Sequence, residues 1–152
     1  MTDVVVLSTA DWDHPLWTNK QHVAVSLVDA GCRVLYLDSL GLRPAQATGR
    51  DFRRITKRLW RGLRPPRRVQ RNLWVWSPLV LPGGSGGMGL WLNRFSLAVG
   101  LGVALALLGF RRPWLWTYNP VTATLINLKV FSRTIYHAVD AVHEQPCMPR
   151  AF

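Results

Sequence analysis

A chain of 152 residues that is 49% hydrophobic has room for one domain, is too apolar for general disorder, and can bury a core without disulfides or a structural metal. Its two cysteines, Cys32 and Cys147, lie far apart in no metal-ligand or Cys-x-x-Cys spacing. Asp3 also stands where a secretory leader would carry cationic residues, so a reduced, cytoplasmic setting is expected. The formal charge of +11 is local: Arg50 to Arg71 holds ten of the 19 basic residues and one acid, Asp51, netting +9 and leaving +2 for the rest. Such a segment suits any polyanion, whether phospholipid headgroups, nucleic acid or a pyrophosphate-bearing substrate.

Val4 to Ser8 is a continuous apolar run, the pattern of a strand covered on both faces. Trp17 to Ala30 follows with helical spacing at Val23, Leu27 and Val28, and Gly31 stands where a helix ends. Arg33 to Leu37 is a second apolar strand, ending at Asp38. Strand, helix, glycine and strand in this order predict a right-handed βαβ unit.

The basic window comes next and reads as a cationic helix broken at Pro65-Pro66. Leu73 to Leu81 predicts a third strand, and Gly83 to Gly87 a turn into a long helix from about Leu90 to Leu108. Trp114 to Tyr118 predicts a fourth strand, Ala123 to Phe131 a short helix and Thr134 to Val139 a fifth strand. The alternation places the chain in the α/β class, as a single domain with a Rossmann-like parallel sheet and flanking helices on both faces. No helix is legible after Asp140, where a doubly wound domain ordinarily continues, so the domain is expected to be incomplete at its C-terminus.

The segment Ser8 to His22, with Trp12, Trp17 and the run Lys20-Gln21-His22, resembles the opening of bacterial group-1, family-4-like glycosyltransferases. Leu27 to Asp38 is similar to that family's passage from helix through Gly-His into the second strand, with Cys32 in place of the usual histidine. Leu73 to Pro82, Leu115 to Pro120 and Tyr136 to Asp140 resemble its third, fourth and fifth strands, in the right order. At Ala141 relatives often carry a second acidic residue.

The resemblance implies the N-terminal half of a GT-B fold. Such an enzyme transfers sugar from a nucleotide-sugar co-substrate, with no tightly bound cofactor, to a glycan or lipid-linked acceptor in cell-envelope polysaccharide synthesis. This half holds the acceptor. The donor-binding domain with its paired-glutamate motif does not occur in these residues, so activity is expected to need it from elsewhere, for example from a separate chain.

Ligands of open α/β sheets sit at the carboxyl ends of the strands. The corresponding loops contain Asp11, Trp12, Asp13, Tyr118, Asn119 and Asp140, while Lys20, Gln21 and His22 lie in the first turns of helix one. His22 is either a base toward an acceptor hydroxyl or a surface histidine that only hydrogen-bonds. Lys20 is either a phosphate contact or a solvated lysine. Asp11 and Asp13 either clamp sugar hydroxyls, with Trp12 or Trp17 stacking on a sugar face, or belong to a loop pinned by buried tryptophans. Asp140 either orients a ligand or caps the next element.

His14, His22, His137 and His143 lack metal-site spacing, and no metal is expected. Ser8, Ser85 and Cys32 have no nucleophile-elbow context, and Gly83 to Gly87 is no dinucleotide fingerprint. Phe95 to Phe110 has no charged residue, but its 16 residues fall short of the roughly 20 that span a bilayer. It is expected as a helix buried on the sheet, with an interfacial segment as the other reading.

The alternative to an enzyme half is a non-catalytic, basic membrane-surface module. It would lie peripherally on the inner face of the membrane, with Arg50–Arg71 against anionic lipid. Nucleic acid is the weaker partner, since the window has aromatics only at Phe52 and Trp60 and no helix-turn-helix, zinc or RRM pattern.

Overall fold

A computed structural model describes residues 1–40, 62, 64–81, 87–119 and 122–139. These residues form one six-stranded sheet: β1 (Asp3–Leu7), β2 (Arg33–Leu37), β3 (Arg67–Gln70), β4 (Leu73–Trp76), β5 (Trp114–Thr117) and β6 (Arg133–Tyr136), in the order β3-β4-β2-β1-β5-β6. All neighbours are parallel except β3 and β4. Setting β3 aside, the chain winds outward from β1 in both directions, which is the doubly wound, Rossmann-like arrangement of an α/β protein. The strand order reverses between β1 and β5.

Why β1 and β2 read as unbroken apolar runs is now clear, because side chains alternate into two cores. Val4, Val6, Val34, Tyr36, Leu73 and Val75 face α1 (Asn19–Asp29), packing with Ala24, Trp12 and Tyr118. Val5, Leu7, Leu35, Leu37 and Trp76 face α2 (Gly87–Leu108), packing with Leu97, Leu101, Ala104 and Leu105. Both helices end alike. Gly31 (φ 86°) and Gly109 (φ 64°) take the left-handed conformation that lets the next residue, Cys32 or Phe110, donate back to Leu27 or Leu105. Arg33 then joins the two sides, pairing with Asp3 at 2.7 Å, donating to the carbonyls of Leu108 and Gly109, and stacking over Phe110.

Four expectations change. Residues 67–70 of the window expected as a cationic helix are strand β3, antiparallel to β4, with a two-residue turn in which Asn72 takes φ 62°. Pro65-Pro66 withholds two N–H donors and disfavours helical backbone before it, so the chain emerges extended and Val69 packs beside β4. The third predicted strand stops at Trp76 rather than Leu81, because Pro78 cannot donate to a ladder. The short helix expected over Ala123–Phe131 divides into α3 (Thr122–Leu125) and a 3-10 turn at Leu128–Val130, where the Asn127 side chain accepts the Lys129 N–H. The predicted Leu90–Leu108 helix begins earlier, at Gly87, and has only one side buried.

Asp140, His143, Cys147, residues 83–86 of the glycine turn, and residues 50–61 and 63 of the basic window lie outside the described residues.

Candidate functional site

Four backbone hydrogen bonds carry the sheet ladder one residue past the strands. Ser8 donates to Leu37, Asp38 to Trp76, Tyr118 to Leu7 and His137 to Thr117. The carboxyl edge therefore presents Ser8, Asp38, Tyr118 and His137 in one row. Strand alternation turns their side chains to the α1 side, the same side as Val6, Tyr36 and Trp116.

Asp38 anchors one end of this row. It is buried, its Oδ1 accepts the Trp12 backbone N–H at 2.7 Å, and its Oδ2 accepts the Ser77 hydroxyl. Burial raises its carboxyl above the ordinary value of 3.8, opposed by the bonds from Ser77 and Trp12. Beside it the Tyr36 hydroxyl lies 2.6 Å from the Ser8 hydroxyl and donates to the Ala10 carbonyl at 2.9 Å, and burial pushes this phenol upward too. These bonds hold the β1–α1 loop down on the sheet. Asp38, Ser77 and Asp11, with Ser39, Leu40, Pro78 and Val80, line a shallow cleft that opens to solvent.

An acidic residue after β2 is where a dinucleotide fold would hold a ribose, yet the chemistry here differs. Both Asp38 oxygens are engaged within the protein, and the β1–α1 loop carries Asp11, Trp12 and Asp13 where a pyrophosphate needs glycines.

The predicted site residues divide by burial. Trp12 is 8% exposed, with its ring 4.9 Å from Trp17 and 5.1 Å from Tyr36, so it is a packing residue. Trp17 is 43% exposed, and its ring rests on Trp12 on one side and on the exposed His22 imidazole at 5.6 Å. Gln21 is fully buried: its Oε1 accepts the Thr18 N–H and hydroxyl, and its Nε2 donates to the Asp11 carbonyl at 3.1 Å. Gln21 thus joins the helix start to the loop, and its burial keeps the amide from a ligand at the surface. Asp13 is exposed and paired with Arg67 of β3 at 2.6 Å, so one member of the basic window reaches this loop. Lys20 places its Nζ 5.6 Å from the centre of the Tyr118 ring.

Tyr118 is buried beside His137, whose ring lies 4.8 Å away and whose Nδ1 accepts the Trp116 indole N–H at 3.3 Å. Its hydroxyl has no partner at hydrogen-bond distance among the described residues, and burial pushes the phenol up to about 12, opposed by the nearby Trp116 indole. The Asn119 backbone N–H donates to Thr117 and its carbonyl accepts from Thr122, shaping the turn into α3. Trp17 with His22 and Lys20 with Tyr118 thus form two separate contacts at the start of α1, while Asp13 is paired with β3. Asp38, Ser8, Tyr36 and His137 are additions. Only the position of Asp38 at a strand end hinted at them.

Among the described residues no three His, Cys, Asp or Glu side chains are placed to hold a metal ion. No family model matches the chain, and no curated protein or solved structure matches it either.

Proposed function

We propose that the chain is the acceptor-side domain of a glycosyltransferase, taking part in sugar transfer from a nucleotide-sugar to a glycan or lipid-linked acceptor. The observation that carries this reading is the group at the start of α1. A half-exposed indole, Trp17, stands next to an exposed imidazole, His22, and the same first turn of α1 carries Lys20, whose ammonium lies over Tyr118. An indole face suits the apolar face of a sugar ring, the imidazole suits a hydroxyl proton, and the ammonium suits a phosphate. The packed Trp12 and the bonded Gln21 hold this group in place without competing for the ligand. The nucleotide-sugar itself would be held by a second domain bearing the donor site, not by the row at Asp38.

Titration of the full chain with oligosaccharide and polyprenyl-phosphate-linked saccharide probes, read by tryptophan fluorescence, tests the proposal. Binding that weakens roughly tenfold or more in Trp17→Ala supports it. No binding to any probe, or equal binding by Trp17→Ala, sinks it.

A further inference from the structure

Helix α2 carries an apolar surface that the described residues leave exposed. Its inner side, Leu97, Leu101, Ala104 and Leu105, is packed on the sheet. Its outer side repeats at intervals of three and four through Met88, Trp91, Phe95, Val99, Val103 and Leu107, every one exposed. Only 28% of the helix's most apolar stretch is buried, at a mean hydropathy of 1.6. A helix covering a sheet ordinarily turns polar residues outward. Here the outward stripe follows nearly the whole helix, whose 22 residues run about 33 Å. Trp91 and Phe95 stand at its start with rings stacked 5.7 Å apart and nearly parallel at 9°.

Charge decides what covers this stripe. Between Asp51 and Asp140 the sequence has fourteen basic residues and no acidic one. Arg94 is the sole charged residue on α2, and Arg111 and Arg112 are exposed just past its end. A second copy laid against the stripe would bring arginine to arginine, since α2 itself carries no carboxylate to meet them. An anionic bilayer satisfies both features, since the stripe enters the acyl boundary while the arginines meet phosphate headgroups. The committed inner side excludes spanning, because that would carry the sheet's polar backbone into hydrocarbon.

We infer that the outer face of α2 is a membrane-docking surface, seated in anionic lipid with the helix axis in the plane of the membrane. The stripe is distinct from the Arg50–Arg71 window, and the inference does not rest on sugar transfer.

The experiment is co-sedimentation of the full chain with vesicles of phosphatidylcholine, alone or mixed with phosphatidylglycerol, with each variant's fold checked by circular dichroism. The wild-type chain is expected to sediment with the anionic vesicles. Phe95→Ser with Val99→Ser is expected to weaken binding roughly tenfold or more. Arg111→Gln with Arg112→Gln is expected to lessen the preference for anionic over neutral lipid. A second readout is quenching of indole fluorescence by brominated acyl chains, expected to fall in Trp91→Phe. Three results overturn the inference: no sedimentation with anionic vesicles, equal binding by the Phe95 and Val99 variant, or a wild-type dimer that this variant dissociates while vesicles bind neither form.

Discussion

Asp38 and Trp12, 26 residues apart in sequence, meet where β2 ends: the carboxylate accepts the tryptophan's backbone N–H at 2.7 Å. The bond fixes the start of the loop that carries Trp17 and leads to His22. Asp38→Ala removes it together with the bond from Ser77, leaving a buried N–H without a partner. The expected cost is about 2–3 kcal/mol in urea unfolding. Asp38→Asn, which keeps an acceptor for Trp12, is expected to cost less.

The same pair of proteins separates charge from geometry. The folded carboxyl lies above its ordinary value of 3.8, so the native state holds its proton to higher pH than the unfolded chain does. Asp38 therefore favours the fold most below 3.8, and that contribution is lost as pH rises through the folded value. Asp38→Asn has no such titration. The stability of wild type relative to Asp38→Asn is expected to fall as pH rises from 3.8, then level off. A difference that is flat with pH would refute the raised carboxyl.

Two glycines of α2 should respond in opposite directions. A Cβ on Gly100 would meet the Trp76 ring at 2.8 Å, so Gly100→Ala forces the indole or the helix to shift and is expected to cost about 1–3 kcal/mol. Gly102 meets nothing within 4 Å, and Gly102→Ala is expected to stabilise by about 0.5–1 kcal/mol through helix propensity. Thermal or urea unfolding of the two variants checks the signs.

Gln21 supports the loop from below. Gln21→Ala removes the acceptor for Thr18 and the donor to the Asp11 carbonyl, with an expected loss of about 1–2 kcal/mol in urea unfolding. Trp17 emission is expected to shift red as the loop loosens.

Tyr118 offers the reverse case. Its buried hydroxyl has no partner among the described residues, so Tyr118→Phe is expected to change stability by less than about 0.5 kcal/mol or to raise it. With the phenol pushed up to about 12, wild type should lose stability relative to Tyr118→Phe as pH rises from 10, levelling off near 12. Unfolding of both proteins across the alkaline range measures this.

How far the sequence foretold these features follows from the range of each interaction. β1, α1, β2 and β5 were legible because apolar runs and Gly31 report local burial and local turn geometry. β3 was hidden because Arg67 and Arg68 read as part of one charge run, while the deciding facts, Pro65-Pro66 before them and pairing to β4 after, act through backbone donors. Tyr118 was named from its strand-end loop and Lys20 from the first turn of α1, and the structure adds the contact between them. The bonds of Asp38 to Trp12 and of Tyr36 to Ser8 join separate strands and loops, and no spacing within one segment encodes them.

β3 also bears on how molecules meet in a crowded solution. It borders β4 on one side of the sheet, is four residues long, and its pairing slips between Arg68 and Gln70. An intruding strand would find a ladder out of step and two exposed guanidinium groups in its path. Sheet-to-sheet growth from that side is therefore discouraged before any amyloid-like seed can align.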